Sequence, residues 1–181
     1  VDTNRQDRRG PRENWTLDVG FVRLIGISPA SLPAADPPEQ IPQAALDWRD
    51  ARLGETGLDC WVFSHAPLLN TVLGGAGQNS TADFFRCWVD ADVRAVLADH
   101  ANAKAWISGH THSPLGATDL VKAESIGGRT VAAINGSALN YVSAFPGTAW
   151  DQFASLYVTK VGASIEVRFR DHGAGVWVNA G

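Results

Sequence analysis

Two short apolar runs constrain this chain most: CWVF at 60–63, closed by Ser64-His65, and AKAWIS at 103–108, closed by Gly109-His110. Each reads as a buried strand, too short for a helix and apolar on both faces, as strands inside a parallel sheet are. Between them, TADFFRCWVDADVRAVLADH repeats apolar residues at Phe84, Phe85, Trp88, Val89, Val93, Val96 and Leu97, an amphipathic helix with Thr81 as its cap. Parallel strands need such a crossover. The order strand, helix, strand therefore predicts an α/β core.

The flanks extend the pattern. WTLDVGFVRLIGIS alternates apolar and polar residues around Asp-Val-Gly, as a hairpin does. After a proline-rich loop, Ala45, Leu46, Trp48, Arg49, Arg52 and Leu53 recur at helical spacing behind Pro42, predicting a second helix. RTVAAING, FASLYVTKV and SIEVRFRD read as further strands, the last two joined by a tight Gly-Ala turn. The C-terminal portion is thus expected to be more antiparallel. With 181 residues, 45% of them hydrophobic, the chain is expected to form one domain over 15–181, behind an exposed connector at 1–14 that has almost no apolar side chains. The GGAG at 74–77 lacks the Lys and Ser/Thr of a P-loop and reads as a flexible loop.

A net charge of −4 offers no basic field for a phosphate backbone, so nucleic acid is not the expected partner. No apolar run approaches the ~20 residues of a membrane-spanning helix. Cys60 and Cys87 sit in apolar segments without CxxC spacing and read as small core residues, a single disulfide between them staying open. The chain contains no Met, and Val1 is expected to be a cut point in a longer protein. The compartment is left open, with the cytoplasm favoured.

Three of the five histidines fall where an α/β sheet binds ligands, at the carboxyl ends of strands. His65 closes one strand; His110 closes the next; His112 follows one residue later. Neighbouring strands lie ~4.8 Å apart, so these ends converge within reach of one cation or a pair. Gly109 is expected to let the backbone turn, and a neutral imidazole is a common ligand for Zn, Mn, Fe, Co and Ni. His100 and His172 have no such context and are expected to be structural, His100 at the end of its helix. Asn70 and Asn79 lie in the loop at 67–81 that should border the crevice, and Asn135 follows a strand; each reads first as a solvated or turn residue, and substrate-binding residues stay unassigned.

Together, WVFSHAPLL and AWISGHTHSP resemble the last two motifs of the calcineurin-like metallophosphoesterases, a histidine after one strand and Gly-His-x-His after the next. The preceding hairpin and helix are also similar to that family, so the resemblance spans most of 15–141. It implies a two-sheet sandwich flanked by helices, an α/β (α+β) metallophosphoesterase fold. It implies hydrolysis of phosphate mono- or diesters, small-molecule substrates, and a dinuclear centre of divalent or trivalent ions (Mn, Fe, Zn, Co or Ni). By that resemblance His65 and His110 bind the second metal and His112 the first. The family's earlier motifs, Asp-x-His, Gly-Asp-x-x-Asp and Gly-Asn-His-Asp/Glu, do not occur in this sequence. The chain is therefore expected to be the C-terminal part of such an enzyme, inactive alone and prone to aggregate. Metallo-β-lactamase-like enzymes and amidohydrolases also use HxH. The former want an aspartate and a histidine directly after the pair, where this chain continues SPLG, and the latter place the pair near the start of a barrel, whereas here it comes late. A metal-free scaffold that binds a partner protein is the alternative outside the hydrolases.

Overall fold

The computed structural model describes residues 14–27, 30–31, 39–71, 89–111, 115, 120–136, 142–144, 148–150 and 154–179. Strands β1 (Trp15–Val19) and β2 (Val22–Gly26) form the expected hairpin, Val19 facing Val22 across a two-residue turn. Gly20 takes φ +57° there, a left-handed value that glycine adopts without a Cβ penalty. Short strands β3 (Ala30–Ser31) and β4 (Glu39–Gln40) pair with each other. Helix α1 (Gln43–Gly54) begins behind Pro42 and buries Ala45, Leu46, Arg49 and Leu53. Strand β5 (Asp59–Phe63), helix α2 (Asp90–Asp99) and strand β6 (Ala103–Ser108) complete the crossover. Thr81, expected as the cap of α2, and the apolar residues at 84–88 lie outside the described residues.

Next come β7 (Val121–Ile126) and β8 (Arg129–Asn135), then the short pair β9 (Val142–Ala144) and β10 (Thr148–Trp150). The chain closes with β11 (Ala154–Val161), β12 (Ser164–Asp171) and β13 (Val176–Asn179). The larger sheet has the order β1-β2-β5-β6-β8-β7; β2, β5, β6 and β8 run parallel, and an antiparallel strand lies at each edge. A second sheet has the order β11-β12-β13 and is antiparallel. Val161 faces Ser164 across the expected Gly-Ala turn.

Two apolar layers hold these elements. On one face of the larger sheet, Ile25, Val62 and Trp106 pack against Leu46 and Leu53 of α1 and Val93 and Leu97 of α2. On the other, Val22, Trp61, Ile107 and Ile134 pack against Val167 and Phe169 of β12, with Leu156 and Val158 of β11 beside them. The fold is the expected two-sheet sandwich, with helices covering the outer face of the larger sheet. Among the described residues no helix is long and apolar enough to cross a membrane.

One irregularity sets the geometry of the rim. Cys60 faces Ala103, but Trp61 faces Ala105, so Lys104 is an extra residue in β6. Such a bulge restores the alternation on both sides of it. Ala103 therefore joins the helix layer with Cys60, and Ala105 joins the sandwich layer with Trp61. Beyond the bulge β5 and β6 stay in step to their carboxyl ends. There the Ser64 N–H donates to the Ile107 carbonyl (2.9 Å) and the Gly109 N–H to the His65 carbonyl (3.0 Å).

Of the expected connector, only Asn14 lies among the described residues, and it is buried beside β1. Cys60 is a buried free thiol; Cys87 lies outside the described residues. Burial pushes the Cys60 thiol up to about 12, with the Arg23 charge opposing and Asp18 and Asp59 reinforcing the shift.

Candidate metal centre

His65 and His110 extend from the carboxyl ends of adjacent parallel strands, and their rings meet. His65 Nε2 and His110 Nδ1 share a hydrogen bond of 2.8 Å, with ring centroids 4.6 Å apart and planes inclined by 64°. One ring must present its proton and the other a bare nitrogen, so at least one is neutral. His65 is exposed and His110 half-buried, which leaves the pair open to solvent.

Both sides of this rim are anchored in the core. Behind His65, the buried Trp106 indole donates from Nε1 to the Ala66 carbonyl (3.1 Å). Farther along, the Leu69 N–H donates to Asp90 Oδ1 (2.7 Å), and Arg94 donates to the Leu69 carbonyl (2.9 Å). Arg94 also pairs with Asp90 (2.7 Å) and Glu124 (2.9 Å). Burial disfavours its charge, yet these two carboxylates together outweigh burial and raise its pKa. Asn70 is exposed with φ +59°, and its carbonyl accepts from Lys122 Nζ (2.8 Å).

The turn after β6 departs from expectation. Gly109 has no positive φ, and a Cβ added there meets nothing within 4 Å. His110 itself carries the left-handed backbone, at φ +68°. Such a conformation is strained for a side-chain-bearing residue by roughly 1–2 kcal/mol. The compensating contacts come from the Thr111 N–H, which donates to the Gly109 carbonyl (2.8 Å), and from Asn135, the fully buried last residue of β8. Its Nδ2 donates to the Gly109 carbonyl (2.7 Å), and its Oδ1 accepts from the Thr111 hydroxyl (3.2 Å). Sequence reading treated Asn135 as a turn residue and passed over Thr111; an asparagine closing the strand next to the histidine strand was the available signal.

Of the three expected ligands, then, two meet and the third, His112, lies outside the described residues, as does Asn79. Among the described residues no group of three His, Cys, Asp or Glu is close enough to hold an ion. The remaining histidines lie elsewhere. His100 caps the end of α2 and bonds Asp50 on α1 (2.7 Å), and His172 bonds Ser155 (2.7 Å).

No protein-family model matches the chain, and no curated protein sequence matches it. Its fold is similar to that of a dimetal phosphatase from Danio rerio, known from a crystal structure. The TM-score is 0.55 and the identity 16%, over 93% of this chain and 61% of the phosphatase. This chain thus spans less than two thirds of that protein. The likeness is one of fold.

Among the described residues the two imidazoles supply part of the donor set that a cation needs. Two imidazole nitrogens each ~2.1 Å from one ion lie ~3.0–3.4 Å apart, depending on the angle between them. The facing nitrogens of His65 and His110 are 2.8 Å apart, so holding one ion would widen their separation slightly and turn both rings off the line that joins them.

Proposed function

We propose that this chain carries part of a metal-dependent phosphoesterase that hydrolyses phosphate mono- or diesters at a dinuclear centre, with His65 and His110 toward one ion and His112 toward the other. The observation that carries the reading is the meeting of His65 and His110 at the carboxyl ends of two parallel strands, on a scaffold similar to that of a dimetal phosphatase.

Two bound cations would neutralise charge on the phosphoryl oxygens and lower the pKa of an attacking water. The chain's own residues do the rest. To hold an ion, His65 and His110 would each present a bare nitrogen, which would break the shared hydrogen bond; its proton would pass through solvent to the far nitrogen of the ring that carried it. Thr111 and Asn135, fully buried behind the turn, keep it from relaxing as the rings rotate. Three imidazoles supply fewer donors than two ions require, so the proposal calls for carboxylate or amide ligands beyond these histidines.

The test uses the full-length protein, its metal content, and turnover of p-nitrophenyl phosphate and bis-p-nitrophenyl phosphate. The expected result is bound metal and metal-dependent turnover of at least one ester, reduced at least ~100-fold in His65→Ala and His110→Ala. Metal-free protein without turnover, or turnover indifferent to both substitutions, overturns the proposal and leaves a scaffold that binds a partner.

A further inference from the structure

The Asn135 carboxamide grips the residues on either side of His110. Its donor end holds the Gly109 carbonyl at 2.7 Å and its acceptor end the Thr111 hydroxyl at 3.2 Å, with a longer contact to Ser108 Oγ at 3.5 Å. Asn135 and Thr111 both have 0% exposure, so these bonds form where water does not compete. The amide is in turn fixed by its own strand. The Asn135 N–H donates to the Leu120 carbonyl (2.7 Å), and the next residue's N–H, from Gly136, donates to the Ser108 carbonyl (2.6 Å). Between the two gripped residues lies a histidine at φ +68°, spanned by a bond from the Thr111 N–H to the same Gly109 carbonyl (2.8 Å). In extended conformation the His110 ring would project in another direction, away from His65.

We propose that Asn135 and Thr111 are positioning residues for His110, holding its backbone left-handed so that its imidazole faces His65. The role is distinct from ligation, because the bonds of the Asn135 carboxamide and the Thr111 hydroxyl go to the backbone and side chain flanking His110. It rests on the reading of His65 and His110 as ligands only where metal affinity is concerned; the ring placement stands on the geometry alone. The clamp has two ends with different demands. The amide donates to Gly109 and accepts from Thr111 through two separate atoms, and the hydroxyl at 111 supplies the donor for the second bond. Valine at 111 keeps the shape and removes the donor, whereas serine keeps the donor.

The test compares Asn135→Ala, Thr111→Val and Thr111→Ser in the full-length protein by two readouts. The first is imidazole ¹⁵N resonances of the metal-free protein, with His100 and His172, bonded elsewhere to Asp50 and Ser155, as internal controls. The second is Co²⁺ titration followed by visible absorption. The expected result is that Asn135→Ala and Thr111→Val shift the His65 and His110 resonances, leave His100 and His172 in place, and weaken Co²⁺ binding by ~10–100-fold, while Thr111→Ser behaves as the parent. Unmoved His110 resonances in folded Asn135→Ala and Thr111→Val overturn the proposal. So does a uniform shift of all histidines with Thr111→Ser no better than Thr111→Val. If the parent itself binds no Co²⁺, the metal reading fails, and the imidazole resonances still decide the clamp.

Discussion

Replacing Trp106 by Phe joins core packing to the rim in a single substitution. Trp106 has 0% exposure, packs in the layer shared with α1 and α2, and donates through Nε1 to the Ala66 carbonyl, one residue beyond His65. Phenylalanine fits the space and leaves part of it empty. The lost ring area, about 40 Å² at ~25 cal/mol per Å², corresponds to ~1 kcal/mol. Stranding the buried Ala66 carbonyl adds ~1–3 kcal/mol, since its partner is gone and water does not reach it. Together the variant should be about 2–4 kcal/mol less stable. Urea unfolding should show a lower midpoint with an unchanged slope, because the surface exposed on unfolding is nearly the same. A loss below ~0.5 kcal/mol would refute the reasoning. It would mean that neither the indole bond nor the packing around it constrains the segment behind His65.

Two further outcomes follow from the charged and ionisable groups. Arg23 Nε and Nη2 bond the two oxygens of Asp18 at 2.6 Å and 2.8 Å, and this hydrogen bonding holds the Asp18 carboxyl below its ordinary 3.8. A lowered folded pKa gives stability that is present above the unfolded value and lost as pH falls through the folded one. Asp18→Asn should therefore flatten the stability loss below about pH 4, and identical acid limbs for the two proteins would contradict this. Cys60, pushed up from 9.0 to about 12 by burial, should resist 5,5′-dithiobis-(2-nitrobenzoic acid) at pH 8 in the native state and react once unfolded. Its raised pKa also means stability present below pH 9 and declining as pH rises toward 12. Rapid native labelling of Cys60 would place it outside the core.

Much of the fold was legible where burial leaves a pattern. The apolar runs of β5 and β6, the helical spacing of α1 and the alternation in β11 and β12 all predict their elements, because each buries a definite face. Edge strands were harder. β7 reads VKAESI; Ala123 and Ser125 are exposed, Glu124 turns to Arg94 of α2, and the apolar content is too thin to stand out. β13 is four residues long, and its Trp177 packs on the outer face against Tyr157 and between Arg168 and Arg170 rather than into a core. The bulge at Lys104 left no signal, since Ala103 and Ala105 are equally small and suit either face.

At the site, convergence of His65 with His110 was readable because both close buried strands. What was not readable is how His110 is aimed. Gly109 looked like the turning residue, yet the strain sits one position later, because a buried amide from β8 captures the backbone on both sides of His110. Such a contact joins residues 26 apart in sequence, Gly109 and Asn135, and an asparagine at a strand end has many simpler uses.

The most direct measurement is anomalous X-ray diffraction from crystals of the full-length protein saturated with Mn²⁺, Co²⁺ or Zn²⁺. The account predicts a peak ~2.1 Å from both His65 Nε2 and His110 Nδ1, with the hydrogen bond between them broken. Metal-saturated crystals with no peak there and the two imidazoles still bonded to each other would contradict it.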